Sequence, residues 1–340
     1  MKRLLPWIAV LCLASACAIP LPRSDDDVSR PAVDDQTAHD VFERYMAVHD
    51  TAVELSDAKP LSVVEADPLL AIDAGSFEVS GPESGPESGS GEARLAETHI
   101  PRFAKYPMWF VARVTGPGDD VERVAVFTRR ASTEPWQMVA SPQVLADTTL
   151  PAPREIDGAL ATVRSDSDSG LSMSPQEAAD VYARALDDPD SQAAKQIGKD
   201  GFIGQMRQTS KSESGLKNTE FTQAWKALEV RHAARTQDGG AMAWITLSRK
   251  DTYRVKSGLK VTWPKGSPQQ AFLGEGITGD GTLQFYHQLL LFIPAEGPPR
   301  ALGQYGGVVG ADPGAGSGND DGDDGQGKQK AAQENGGASR

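Results

Sequence analysis

Cysteine is nearly absent from this chain. The 340 residues hold two, Cys12 and Cys17, both close to the start. A disulfide framework is therefore excluded, and with it the small stapled scaffolds of the secreted world. Long apolar runs are missing too. The longest near the start, Leu4 to Ala16, is 13 residues interrupted by Pro6. As a helix it spans roughly 20 Å, short of the roughly 30 Å hydrocarbon core. Positive charge is scarce: 34 Lys and Arg stand against 47 Asp and Glu, a net charge of −13. Such a surface repels nucleic acid and anionic lipid headgroups, so a nucleic-acid partner is not expected. The five histidines, His39, His49, His99, His232 and His287, make no H-E-x-x-H and no Cys/His cluster, and there is no G-x-S-x-G. No catalytic residue, metal site or cofactor is expected on these grounds.

What is present near the start is an export signal. The basic pair Lys2-Arg3 precedes the apolar run, and Ala14-Ser15-Ala16 supplies small residues before a cut. Leu13-Ala14-Ser15-Ala16-Cys17 also resembles a bacterial lipobox, in which the cysteine is acylated and becomes the first residue. Ala14 stands where leucine is commoner. Both readings cut between Ala16 and Cys17, giving a signal peptide over 1–16. Cleavage removes Cys12, Lys2 and Arg3, so the mature chain has one thiol and a charge of −13 − 2 = −15. An unpaired terminal thiol outside the cell is unusual, and a lipid on Cys17 explains it. The expected location is the outer face of the cell membrane, held by lipid; secretion without lipid is the alternative.

Residues 17–31 are polar and proline-bearing and read as a flexible tether. The first folded unit is expected over 32–163. Asp34 is a helix cap, and Ala38, Val41, Phe42, Tyr45 and Met46 share one helical face. Leu61 to Phe77 is apolar without a clear period. The tandem G-P-E-S insert within 80–93 has nothing apolar to bury and reads as disordered. Strands follow at Met108–Thr115, Val121–Arg129 and Trp136–Ala140. In the second of these Val124, Val126 and Thr128 share one face while Ala125 and Phe127 share the other.

A polar stretch, 164–173, is the expected linker. Residues 174–310 then begin as the first unit began. Ser174-Pro175-Gln176-Glu177 is a capping box. Aligning Asp34–Met46 with Ser174–Leu186 gives five identities: Gln36/Gln176, Ala38/Ala178, Asp40/Asp180, Val41/Val181 and Arg44/Arg184. Strands are expected at Leu228–Arg235, Ala241–Val255, Thr282–Ile293 and Arg300–Val309, with a hairpin turn at Gln237-Asp238-Gly239-Gly240. Helix then meander, twice, points to a duplication, although amphipathic helices also look alike. The tail, 311–340, is Gly, Asp and Gln and reads as disordered. Its acidic run Asn319–Asp324 lacks the spacing of an EF-hand calcium loop, and Gly274–Gly279 matches G-x-G-x-x-G only as a loop before a strand.

The lipobox-like start, the paired helix-then-meander halves and the Ala/Gly/Asp/Arg-rich composition resemble actinobacterial exported lipoproteins of unknown function. Each half is similar in layout to nuclear transport factor 2-like or cystatin-like domains. The resemblance implies an α+β fold of two similar domains, each a helix on a curved antiparallel sheet. Such domains can enclose a cone, and ketosteroid-isomerase-like relatives place a carboxylate and a tyrosine there. The residues of those types are Asp40, Asp180, Tyr45, Tyr182 and Tyr253, with both aspartates expected on the wet side. His232 and His287, both in strands, are within reach of a common space on this reading; Trp109, Trp136, Trp244 and Trp263 are expected in the core or lining a cone. The leading expectation is a non-enzymatic binding or interaction module whose partner is a cell-envelope protein or a small apolar ligand. A cone enzyme of isomerase type is the alternative.

Overall fold

A computed structural model describes residues 29–81, 93–116, 121–146 and 148–314. The expectations for the signal peptide, Cys17, the tether up to residue 28, nearly all of the G-P-E-S insert and the tail from 315 lie outside the described residues; Arg30–Pro31, read as tether, form a short strand, and Ala311–Asp312, read as tail, end a long one. In chain order the elements are β1 (Arg30–Pro31), α1 (Asp35–Leu55), a 3-10 turn (Lys59–Val63), α2 (Leu69–Ser80), β2 (Arg94–His99), β3 (Arg102–Phe103), β4 (Met108–Thr115), β5 (Glu122–Arg129), β6 (Gln137–Ala140) and β7 (Gln143–Val144). Then come β8 (Glu155–Ile156), β9 (Ala159–Leu160), α3 (Pro175–Asp187), α4 (Gln192–Lys195) and α5 (Gly201–Ser214). The chain continues with β10 (Thr219–Ala227), β11 (His232–Arg235), β12 (Ala241–Val255), α6 (Pro268–Leu273), β13 (Asp280–Ile293) and β14 (Arg300–Asp312). The fold is a mixture of helices and one large, curled antiparallel sheet.

The sheet runs through both halves in the order β10-β12-β13-β14-β7-β5-β4-β2, with β11 also on β12 and β6 also on β5. The join is short: Gly303 and Gln304 of β14 pair with Val144 and Gln143 of β7. The sheet then curls so that two of its own faces meet. Trp109 and Val111 of β4 and Val124 and Val126 of β5 pack against Met242 and Trp244 of β12, Leu290 of β13 and Leu302 of β14. The opposite face of β4 and β5, Phe110, Ala112, Val114, Ala125 and Phe127, is covered by Ala38 and Phe42 of α1 and Leu69 of α2. The opposite face of β12 and β13, with Ala243, Ile245, Leu247, Leu289 and Leu291, is covered by α3 and α5. The order of layers is helices, sheet, sheet, helices. This explains why MWFVARVT reads as an almost unbroken apolar run: a strand covered on both faces has no wet side to mark.

Polar groups seal the sheet-on-sheet layer. The indole of Trp244 donates to the Val124 carbonyl at 2.8 Å. The Gln288 amide donates to the Val139 carbonyl at 2.7 Å and accepts from the Ser141 N–H at 3.1 Å. Each buried polar group in this list therefore has a partner across the layer, as burial requires.

Helix starts follow their caps. Asp34 accepts from Thr37 N–H, Ser174 from Glu177 N–H, and Asp200 from Ile203 N–H. The apolar stretch without a period contains the 3-10 turn and α2. Pro60 and Pro68 sit at their starts, where proline is tolerated, rather than breaking them. Helix α2 buries Leu69, Ile72, Asp73, Gly75 and Phe77, so it has no single apolar stripe to reveal it. Helix α5 and strand β10 likewise carry no clear apolar period in the sequence. The segment Ala161–Val163 lies along β11, where Val163 N–H donates to the Ala233 carbonyl and Arg235 N–H to the Ala161 carbonyl.

Gly75 is where α2 meets β14. A methyl group there falls 1.7 Å from the Val308 carbonyl oxygen. Gly75→Ala should push α2 off β14 and lower stability by about 1–3 kcal/mol or more, read as a lower urea midpoint with an unchanged slope.

Candidate functional site

An opening lies between the two halves. It is a cleft of about 1000 Å³ at one end of the sheet-on-sheet layer, at the upper end of the range for ligand sites. Strands β4, β5, β12 and β13 supply its floor: Trp109, Thr128, Trp244 and Tyr286. Phe103 and His232 add to it. The aromatics brace one another, with Trp109 5.8 Å from Phe103, 5.4 Å from His232 and 6.3 Å from Trp244, ring centre to ring centre. Three arginines reach the rim, Arg130, Arg164 and Arg231. Each already has a carboxylate: Glu134 at 3.1 Å, Asp166 at 2.8 Å and Glu229 at 2.8 Å. The rim is thus electrically balanced, and the arginines do not form an open receptor for an anion.

His232 Nε2 lies 3.1 Å from the Thr128 hydroxyl. Burial, helped by the neighbouring Arg231, lowers its pKa to about 3. A base that weak is poorly matched to proton abstraction near neutral pH. His287 does not share this space. His232 pairs with Trp244 and His287 with Leu247, three residues apart on β12, so the two histidines occupy opposite faces of the sheet. His287 packs instead on Phe202 and Trp225, under α5.

A second site lies under α1 and α2. Here α1 supplies Tyr45 and His49, the segment after the 3-10 turn supplies Glu65, α2 supplies Asp73, β5 supplies Arg123 and β14 supplies Tyr305. The backbone around Glu65 is fixed to β6: Met138 N–H donates to the Val64 carbonyl and Ala66 N–H to the Met138 carbonyl. Glu65 is 0% exposed and Asp73 is buried. The Tyr305 hydroxyl donates to Asp73 Oδ1, and Arg123 sits 5.0 Å from the Tyr305 ring. Tyr45 and Asp73 face Glu65 without closing on its carboxyl oxygens at hydrogen-bond geometry. Burial, and then the Asp73 carboxylate, pushes Glu65 up to about 10. Burial also raises Asp73, against the Tyr305 hydrogen bond. Glu65 therefore keeps its proton at neutral pH.

A third polar group lies under α5. Arg249 Nε is 3.1 Å from Asp251 Oδ1, both almost fully buried, though the contact lacks hydrogen-bond geometry. The guanidinium lies 3.6 Å from the Phe285 ring centre. Burial raises Asp251 to about 6 despite Arg249. Tyr253 donates to Glu213 at 3.1 Å.

The residues singled out from sequence scatter among these places. Asp40 is exposed and Asp180 half-buried, and each accepts from a glutamine one turn earlier. Tyr182 donates to Asp200, which also caps α5 and accepts from Ala301 N–H, so its role is to tie α3 to α5 and β14. Tyr45 joins the acidic site, Tyr253 the third group. Trp109 and Trp244 floor the cleft; Trp136 packs on Phe110 and Trp263 on Tyr253. Glu65, Asp73 and Tyr305 gave no sequence signal, because nothing in spacing alone marks a carboxylate as buried. Among the described residues no group of three or more His, Cys, Asp or Glu could hold a metal ion.

The acidic site has a stability consequence. Unfolded Glu65 ionises near 4.5, whereas in the fold it keeps its proton to about 10. The unfolded chain binds fewer protons in that window, so this contribution is full below 4.5 and is lost as pH rises toward 10. Between pH 7 and 9 stability should fall by up to about 1.4 kcal/mol per pH unit for each proton retained. Glu65→Gln should flatten that fall, measured by urea unfolding across the range.

Comparison with known proteins adds family and kin. An uncharacterized lipoprotein of Streptomyces coelicolor is 24% identical over 294 residues, covering 82% of this chain and 85% of that protein. An uncharacterized lipoprotein of Streptomyces avermitilis is 28% identical over 210 residues, 59% of this chain and 60% of that protein. No solved structure matches. No helix among the described residues is long and apolar enough to cross a membrane. A family model described as a domain of unknown function (DUF8094) matches residues 29–313, nearly all of the span of the described residues, and the protein belongs to that family.

Proposed function

We propose that this chain is a lipoprotein held at the outer face of the cell membrane through Cys17, and that it works by binding rather than by catalysis. The cleft between the halves carries this reading. It has the volume, the aromatic floor and the balanced polar rim of a recognition site, and His232, its one imidazole, is too weak a base to serve chemistry at neutral pH. The partner suited to it is neutral where it touches the rim and apolar where it reaches Trp109 and Trp244: a small apolar ligand, or a segment of a cell-envelope protein. Anchoring is supported by the lipobox-like start and by the lipoprotein relatives.

We further read the two halves as repeats of one nuclear transport factor 2-like or cystatin-like unit. The support is specific. Ala38 and Ala178 are both fully buried, as are Phe42 and Tyr182. Gln36 donates to Asp40 at 2.9 Å and Gln176 to Asp180 at 3.3 Å, the same bond in both helices.

The isomerase-like alternative has one observation in its favour, the Glu65–Asp73 pair between two tyrosines, Tyr45 and Tyr305. Its closure counts against it, since a substrate would have to displace α2 to reach Glu65.

Two experiments separate these readings. Cys17→Ser should release the protein from the membrane fraction; equal retention overturns the anchor. Thr246→Trp, which fills the cleft from β12, should abolish capture of whatever the wild type retains from cross-linked membranes, while Glu65→Gln should leave capture intact. The reverse pattern would favour the site under α2.

A further inference from the structure

The mature chain is strongly acidic, yet one end of the first half is basic. Strand β1 pairs with β3, placing Arg30 opposite Phe103 and Pro31 opposite Arg102. Arg102 donates to the Ser29 carbonyl at 2.7 Å. Arg30 lies 5.9 Å and Arg129 6.0 Å from the ring centre of Tyr106, so one tyrosine gathers both arginines. Lys105 precedes it in the chain. Arg30, Arg102 and Lys105 are exposed; Arg129 is half-buried and donates to the backbone carbonyls of Ser132 and Glu134. Among the described residues, none of these four cations pairs with a carboxylate. Of the acids nearby in sequence, Glu134 is paired with Arg130, while Asp34 and Asp35 accept from Thr37 and Thr98 and keep their charge without pairing to any of the four cations.

This end is also where the chain enters the fold. Eleven residues, 18–28, separate Cys17 from Ser29, so an anchor at Cys17 keeps Ser29 within about 40 Å of the membrane even at full extension. The net charge of −15 does not forbid contact. Screening at physiological salt cuts electrostatics off at about 8 Å, so a headgroup layer senses the end that faces it and not the distant acids.

We propose that this basic end is the membrane-facing surface, where Arg30, Arg102, Lys105 and Arg129 bind the phosphates of anionic phospholipids and Tyr106 lies at headgroup level. The orientation rests on the anchor at Cys17; the chemistry of the patch does not. Each such cation strengthens binding to an anionic surface by about fivefold. Phe103 and Pro107 of the same end line the cleft, so docking here sets the cleft beside the bilayer.

The test uses the chain from Cys17 onward, which contains every described residue, coupled through its one thiol to a maleimide lipid. Coupling makes the result independent of whether cells acylate Cys17, which the fractionation of Cys17→Ser decides separately. Amide hydrogen exchange over 29–32 and 102–107 is compared on phosphatidylcholine vesicles and on vesicles with roughly 30% phosphatidylglycerol. Exchange should slow about tenfold on the anionic vesicles alone, and the effect should vanish in about 0.5 M salt and in the combined variant R30E/R102E/K105E. Equal protection on both vesicles, or none on either, overturns the proposal. So does protection already present without vesicles and lost in D25N/D26N/D27N, which would show the patch occupied by the chain's own acidic run. If the charge-reversal variant misfolds, the vesicle and salt comparisons on the wild type still decide.

Discussion

The sheet has to be covered on both faces along β4, β5, β12 and β13, and most of the molecule follows from meeting that demand. Curling the sheet lets each half cover one face of the other, which puts Trp109 and Trp244 in contact and buries the amide of Gln288 where it must find partners in the opposite half. The outer faces then need helices, and the capped amphipathic helices α1 and α3 meet that need, one over each half. The cleft arises where the curl opens, so its floor is the frayed edge of a core rather than a cavity hollowed out of one half.

Much of this was legible in the sequence. Strands β4, β5, β12 and β13 follow from β-branched and aromatic runs, and the alternation in β5 assigned Val124 and Val126 to one layer and Ala125 and Phe127 to the other. Caps placed the starts of α1 and α3. What stayed hidden was anything fixed by long-range burial. Helix α2 has no stripe because it is enclosed on several sides. Glu65 looks like any surface glutamate until the pairing of Val64–Ala66 with β6 turns it inward. Helix α5 is mostly polar, and strand β10 alternates in burial under α3 while reading as a polar segment. The separation of His232 from His287 could not be read without the register of β12, since a shift of one residue would have put them on one face.

The three polar groups of the interior behave differently because their surroundings differ. At the cleft, solvent reaches the ion pairs of the rim, and such pairs add little to stability. Beneath α2, two acids are dried together and the remedy is a proton. Beneath α5, a cation is dried beside an aspartate and aromatic rings, and the remedy is a counter-charge and a π face. The first is open to partners; the other two tie helices to the sheet.

Among the described residues β14 is the last strand in sequence, and it stands in the middle of the sheet. It is delivered after the other described elements, so neither half can seal until it arrives. Until then β7 and β13 both expose unpaired edges, the kind of surface on which chains aggregate. A chain that ends before Arg300 would keep those two edges for good, and the cell would meet it as an unfinished sheet rather than as a shortened protein.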